Sequence, residues 1–336
     1  MLSATQHAAV TSDAARPLQI LAGPGSGKTR VLTSRVAWLV RDSATPIAPE
    51  RCVVVPFTNR AANEMRARLE SMIGADRTRR LVLGTFHAVC VRFLRRWGTR
   101  LGLDPRFTIA DADDARRLLR DVERDADAAL SAISRAKAHG WTPDELRASA
   151  QHAPGSPAHT EHLALCRTYA AYQQQLRASH ALDFDDLLLL GVRLFREHPE
   201  LTAHIDHVLV DEFQDTNAVQ YELLRRLSPH VSVVGDPDQS IYSWRHADMR
   251  HIERMHLDFP GLHRVLLEEN FRSTPQILDA ALRVMQQDPL RIPKGLYTAL
   301  ASGPPVVVRA CHDADDEALF VARDIRQHAR TTPYAH

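Results

Sequence analysis

The sequence predicts an α/β protein, a parallel sheet covered by helices with an all-helical subdomain inserted in it, and three observations carry that prediction. Short apolar runs recur along the chain, each closed by a polar or glycine-bearing loop and followed by a helical pattern, which is the rhythm of parallel strands joined by helices. The interval 107–183 breaks that rhythm, with amphipathic patterns such as "DADDARRLLRDVERDADAALSAISRAKAHG" and almost no strand-like run. At 336 residues, 44% hydrophobic and 25% charged, the chain has the composition of a packed globular protein. It outgrows a single core, which stops enlarging near ~250–300 residues.

The first run, "LQILAG", leads into "PGSGKTR", so that Ala22 to Thr29 reads A-x-x-x-x-G-K-T, a phosphate-binding loop with alanine where the strict pattern has glycine. Gly23, Gly25 and Gly27 allow successive N–H groups to turn toward a phosphate, and the helix that follows adds its positive end. Lys28 is then expected to reach the β and γ phosphates, and Thr29 to ligate Mg²⁺. Leu32, Val36, Leu39 and Val40 fall at i, i+4, i+7 and i+8, one apolar stripe against a sheet. "CVVVPFTN" and "LVLGTFH" read as the next two strands, with polar and aromatic residues past their ends.

After the helical interval, "HVLVDEFQD" closes a strand with Asp211 and Glu212. A phosphate-loop enzyme needs one carboxylate to hold Mg²⁺ and one to activate the attacking water, which assigns Asp211 to the metal and Glu212 to the base. An acidic pair after a strand is by itself a solvated loop; Lys28 gives this pair a partner, and together they describe nucleotide hydrolysis. "VSVVGDPDQ" and "RVLLEENFR" add two strands, and "PPVVVRACHDADDEALFVARDIRQHA" reads as one more strand and helix. Within the helical interval, "QHAPGSPAHTEH" reads as a connecting loop, and a loop running into a helix explains His159, His162 and Cys166 more simply than a metal site does.

Lys plus Arg at 42 against Asp plus Glu at 41 leaves a net charge of +1, so any nucleic-acid site must be local rather than a product of bulk charge. The four cysteines, Cys52, Cys90, Cys166 and Cys311, are far apart and form no CxxC pair, which suits a reducing compartment: nucleus if the source is eukaryotic, otherwise cytoplasm. No run of ~18 apolar residues and no signal-peptide pattern occurs, so no membrane is expected as a partner.

These stretches together resemble the superfamily 1 DNA helicases of the UvrD, Rep and PcrA type. "LSATQHAAV" is similar to the Q motif, "AGPGSGKTR" to motif I, "VVPFTNRAANEM" to motif Ia and "LGTFHAVCVRFLR" to motif Ib. "LDFDDLL" and "VDEFQDTNAVQ" follow, then "VVGDPDQSIYSWR" as motif III and "LEENFRST" as motif IV, with wording closest to the fungal branch. The resemblance implies an ATP-dependent helicase or translocase, expected to move 3′ to 5′ on single-stranded DNA in repair or recombination. Its implied partners are single-stranded DNA, duplex junctions and repair or recombination proteins. It implies a RecA-like ATP-binding domain over 1–106 plus 184–270, a helical insertion over 107–183 and the beginning of a second RecA-like lobe over 271–336.

Residue by residue, it implies an ATP site of Gln6, Ala22, Gly23, Pro24, Gly25, Ser26, Gly27, Lys28, Thr29, Arg30, Phe271 and Arg272, with Gln6 reading the adenine edge and Arg30 beside the nucleotide. Gln239 would sense the γ-phosphate and Arg272 would stabilise charge on it. Phe57, Tyr242 and Trp244 would stack on bases, a sequence-tolerant grip, while Thr58, Asn59, Thr85 and His87 would contact the strand. Phe271 stands where the family usually has tyrosine, and Pro56, Arg60 and Ser243 where it more often has threonine, lysine and glycine. Motifs V and VI, with a second arginine, are not found after Arg272, so the chain alone is expected to bind ATP and Mg²⁺ but hydrolyse slowly. A non-catalytic module that binds single-stranded DNA or a partner, with ATP as a structural ligand, is the alternative.

Overall fold

A computed structural model describes residues 1–120, 122–150, 155–241, 248–288 and 291–331. In chain order its elements are α1 (Ala4–Val10), β1 (Leu18–Ala22), α2 (Lys28–Ala37), β2 (Cys52–Val55), α3 (Asn59–Ile73), α4 (Ala75–Arg80), β3 (Val82–Leu83), α5 (Phe86–Trp97) and β4 (Thr108–Ile109). Then come α6 (Ala112–Arg120), α7 (Ala126–Ala138), α8 (Pro143–Ala148), α9 (Pro157–Ala178), β5 (Ala181–Leu182), α10 (Phe184–Glu197) and β6 (His207–Val210). The chain continues through α11 (Ala218–Leu227), β7 (Val231–Gly235), α12 (Arg250–Asp258), β8 (His263–Leu267), α13 (Pro275–Met285) and α14 (Ala314–Thr331).

The six apolar runs singled out in the sequence become one sheet in the order β3-β2-β6-β7-β1-β8, and every pairing in it is parallel. The inner strands are buried along their whole length, as strands covered on both faces must be. Alternation sorts their side chains. Leu18, Ile20, Cys52, Val54 and Leu209 join the core under α2 and α3, while Leu21, Val53, Val55, Val208 and Val210 join the core under α5, α10 and α11. Leu32, Val36, Leu39 and Val40 are all buried in the first of these cores, as the stripe required. Because the strands are parallel, the loops after β1, β2, β3, β6, β7 and β8 all open at one end of the sheet, where ligands of such sheets bind.

Arg35, fully buried on α2, ties α1 to this sheet. Its Nε donates to Ser232 Oγ at 2.7 Å, and Nη1 donates to the carbonyls of Ala9, Val10 and Ser12 at 3.2, 3.0 and 2.8 Å. A guanidinium thus satisfies carbonyls at the end of α1 that no further helical turn would reach, although burial pulls its pKa down to about 10.

The helices α6 to α9 form a third core, around Leu119, Ile133, Tyr169 and Tyr172. The chain leaves for it through β4 and returns through β5, which pair in parallel, Thr108 opposite Ala181 and Ile109 opposite Leu182. Cys166 is buried in that core, and His162 Nε2 lies 2.8 Å from the Leu146 carbonyl. Among the described residues no group of three or more His, Cys, Asp or Glu side chains could by itself cage a metal ion, and no helix is long and apolar enough to cross a membrane.

One expectation is corrected. The helix expected near the C-terminus forms as α14, but the strand before it does not: residues 301–310 have no ladder partner, and Val307 and Val308 are 79% and 92% exposed. Apolar alternation makes a strand only where a neighbour accepts its backbone hydrogen bonds, and β8 pairs with β1 alone among the described strands.

Candidate nucleotide site and adjoining cleft

The loop between β1 and α2 is held open by its backbone. Gly25 and Gly27 have φ of 67° and 82°, the left-handed region where a side chain is strained. Gly27 caps α2 without a side-chain hydrogen bond, leaving the first-turn N–H groups to a ligand. Gly23, expected to supply the same freedom, is not at positive φ; its missing Cβ instead makes room for Leu296. Ser26 is buried, its Oγ donating to the Gly23 carbonyl at 2.7 Å. Ala22 ends β1 with no exposed surface.

Three strand-end loops, those after β1, β6 and β7, meet at Lys28. Its Nζ is 2.9 Å from Glu212 Oε2 and 3.5 Å from Gln239 Oε1, and Thr29 Oγ1 is 3.4 Å from Asp211 Oδ2. Glu212 sits at φ 48°, ψ 48° without being glycine, a strained conformation of the kind that clusters at functional sites. Gln214, which the sequence reading passed over, bridges the two acidic loops: its Nε2 donates to Glu212 Oε2 at 2.9 Å and Asp215 Oδ2 at 3.2 Å, and its Oε1 accepts from the Asp236 N–H at 2.9 Å.

Asn270 is the second residue missed. Buried just before Phe271 and Arg272, it donates from Nδ2 to the Pro24 carbonyl at 2.7 Å, while its Oδ1 accepts from the Arg272 and Ser273 N–H groups at 2.8 and 2.7 Å. Phe271 N–H donates to the Gly25 carbonyl at 3.0 Å. Two links therefore seat the Phe271–Arg272 pair on the phosphate loop, with both side chains exposed beside it. Arg30 is exposed on the first turn of α2. Gln6 is buried and occupied at both ends of its amide, accepting from Ser3 N–H at 3.0 Å and donating to the Ser26 carbonyl at 2.8 Å. One N–H of its amide and one lone pair of its carbonyl oxygen are left for a ligand.

Burial, reinforced by the neighbouring Glu212 charge, pushes the carboxyls of Asp211 and Asp215 up to about 6, against the opposing pull of Lys28. A folded-state pKa above the unfolded ~3.9 means that the folded protein holds a proton where the unfolded chain has lost it. The stability tied to Asp211 is therefore largest at low pH and is lost as pH rises from about 4 through 6. Asp211→Asn is expected to melt higher than the unsubstituted protein at pH 7.5, by on the order of 2 kcal/mol, with the gap closing by pH 4.5. Melting curves at both pH values check this, and equal gaps at the two would contradict the assignment.

Beside this site a cleft of about 380 Å³ opens between the sheet's end and α7. Phe57, Thr85 and His87 line it together with Ser134, Asp185 and Asp215. His87 is kept neutral by burial, which lowers its pKa, and packs edge-on against Phe184 with centroids 5.9 Å apart. Thr58 caps α3 and Thr85 caps α5; Thr58 and Asn59 are exposed next to the cleft's Phe57. Tyr242, Ser243 and Trp244 lie outside the described residues.

The family model for the UvrD/REP helicase N-terminal domain matches residues 2–260. The chain is 40% identical to the ATP-dependent DNA helicase PcrA of Leuconostoc citreum, the match covering 95% of this chain and 44% of that protein. It is 38% identical to the proteins of the same name from Staphylococcus aureus and Staphylococcus epidermidis, over 94% of this chain and 44% of each of theirs. The chain thus spans less than half the length of these curated relatives.

Proposed function

The chain belongs to the UvrD/REP helicase family, and on that premise we propose that it is the ATP-binding part of a DNA helicase that couples ATP hydrolysis to 3′ to 5′ movement along single-stranded DNA. The observation that carries the proposal is the position of Lys28, on a phosphate loop and within 2.9 Å of Glu212 and 3.5 Å of Gln239. A structural lysine has no need of both a strained acidic residue and a glutamine from a separate strand end.

Lys28 would shift from Glu212 to the β and γ phosphates, freeing the Glu212 carboxylate to take a proton from the attacking water. Gln239 would report the γ-phosphate, and Arg272, held by Asn270, would meet the charge that develops on it. Thr29 and Asp211 fit Mg²⁺: both offer hard oxygen ligands, and the buried Asp211 charge beside Glu212 is poorly compensated. Mg²⁺ bound there would neutralise phosphate charge.

Phe57, Thr58, Asn59, Thr85 and His87 are the residues proposed to grip single-stranded DNA at the cleft, whose lining also includes Asp211 and Asp215 and would link DNA to the nucleotide; Tyr242 and Trp244, outside the described residues, are proposed to stack on bases. Duplex junctions and repair or recombination proteins are the proposed further partners. The domains proposed are an ATP-binding lobe of 1–106 plus 184–270, a helical insertion of 107–183 and the beginning of a second lobe from 271.

ATP turnover by the purified chain is expected to be slow, to stay slow though measurably higher with single-stranded DNA, and to vanish in Glu212→Gln, which still binds ATP. Turnover indifferent to DNA, in a chain that also fails to retain a labelled oligonucleotide, would remove the helicase reading.

A further inference from the structure

We propose that Lys294 is a positioning residue for Gln239, fixing through Asp236 the direction in which that glutamine faces the nucleotide. The inference rests on the proposed role of Gln239 at the γ-phosphate. Lys294 lies 55 positions beyond Gln239 in the chain, yet its side chain has no exposed surface and neither does that of Asp236, to which its Nζ donates. Lys294 Nζ is also 3.1 Å from Asp238 Oδ2, and Arg291 donates to the same oxygen at 3.0 Å. Two cations and two carboxylates thus neutralise one another inside the loop that carries Gln239.

The consequence for Gln239 follows from what each atom can do. Lys294 occupies Asp236 Oδ1, and Asp236 Oδ2 accepts from Gln239 Nε2 at 2.6 Å. A carboxylate takes only the NH₂ end of the amide, so the carbonyl Oε1 is left pointing to Lys28, 3.5 Å away. Removing Lys294 would leave Asp236 as an uncompensated buried charge, which must protonate or turn toward water. Either response loosens the short charge-assisted hold on the Nε2 end of the amide, leaving only the longer Lys28 contact among the described residues, and the glutamine is then free to present either end to a phosphate.

The segment that carries Lys294 is itself anchored on the chain that follows β8, beside the phosphate loop. Gly295 N–H donates to Glu268 Oε1 at 2.6 Å, and Tyr297 pairs with the β8 extension through hydrogen bonds to Glu268 and Asn270 of 3.1 and 2.7 Å. Leu296 fills the space that a Cβ at Gly23 would need. Lys294 therefore enters the site from a fixed backbone and acts as a rigid prop.

The test is the ratio of dissociation constants for ADP and a non-hydrolysable ATP analogue, each with Mg²⁺, read by fluorescence titration of the chain and its variants. Lys294→Met is expected to lower the preference for the triphosphate about tenfold while moving ADP affinity less than twofold. Gln239→Ala should show the same loss, and the two together no greater loss. If Lys294→Met keeps the original preference, or weakens both nucleotides in parallel, the positioning role is overturned. A preference that survives Gln239→Ala but not Lys294→Met overturns it as well. Should Lys294→Met not fold, Lys294→Met with Asp236→Asn keeps the interior neutral; its amide at 236 holds Gln239 without charge and can offer it the wrong end, so the same direction of change is expected and an unchanged ratio is refuting. Failure of the unsubstituted chain to bind either nucleotide would instead refute the ATP site itself, and the inference with it.

Discussion

Lys28→Ala is expected to raise the dissociation constant for ATP, and to lower any turnover, by roughly 10²–10³-fold, the scale seen when one preorganised charge-stabilising group is removed from an active site. Lys28 is the cation that Glu212 and Gln239 both approach, and its side chain is only 11% exposed, so water would replace it poorly. Its loss also changes the apo protein. Asp211, Glu212 and Asp215 share this end of the sheet, and the Lys28 charge opposes the upward push on both aspartates. In Lys28→Ala the two aspartates should therefore protonate at still higher pH, and stability at pH 7.5 should drop while stability at pH 5 changes little. Isothermal titration with ATP and melting curves at the two pH values separate these effects. ATP affinity within about threefold of the unsubstituted chain would mean that Lys28 is only the counter-ion of Glu212, and the site would need another phosphate ligand.

Much of this site was legible because a parallel sheet writes its chemistry in one place. Each buried strand reads as an apolar run, and the residue that follows it belongs to the ligand end, so Lys28, Asp211, Glu212 and Gln239 could be gathered from three separate stretches. The helical insertion was legible for a related reason, since 3.6-residue periodicity over 107–183 contrasts with the runs on either side. What escaped has a common character. Lys294 is 58 positions from Asp236 and Asn270 is 246 from Pro24, and no local pattern distinguishes a lysine or asparagine that will be buried against such partners from one left in water. Gln214 was quoted within its stretch yet unassigned, because its role is to bridge two loops whose nearness only the sheet order β6-β7 creates. The error at Val306 to Val308 runs the other way: the local pattern is that of a strand, but a strand is a relation between two segments, and there the second is absent among the described residues.

The joint between the helical insertion and the sheet is expected to be the most fragile point of the fold, and Lys137→Met the substitution that exposes it. Lys137, near the end of α7, has no exposed side-chain surface; its Nζ lies 2.6 Å from Asp183 Oδ2 and 2.7 Å from Asp186 Oδ1. Those two aspartates are the capping box of α10, so one ammonium group locks a helix of the insertion to the start of a helix that packs on the sheet. Tyr172 of α9 donates to Asp183 at 3.0 Å and Gln173 to Asp186 at 3.0 Å, which brings a second helix of the insertion into the same knot. Burial opposes the Lys137 charge, but Asp186 and Asp183 together outweigh it, and its pKa stands above the ordinary lysine value. Methionine preserves the length of the side chain and strands two buried carboxylates, a loss of roughly 3–5 kcal/mol. Because burial and Asp183 already push Asp186 upward, protonation can relieve that loss, so the variant should recover part of its stability as pH falls. Hydrogen exchange should rise first in α7, α9 and the opening turn of α10, with β1 and β6 still protected. The cleft would feel the same change, since α7 supplies one wall through Ser131 and Ser134, while the loop after β2 and the first turn of α5 supply Phe57 and His87 on the other. Single-stranded DNA affinity should therefore fall in Lys137→Met at pH 7.5 while nucleotide affinity holds. A uniform rise in exchange across both cores, or a stability loss under 1 kcal/mol at pH 7.5, would show that the triad contributes no more than its packing.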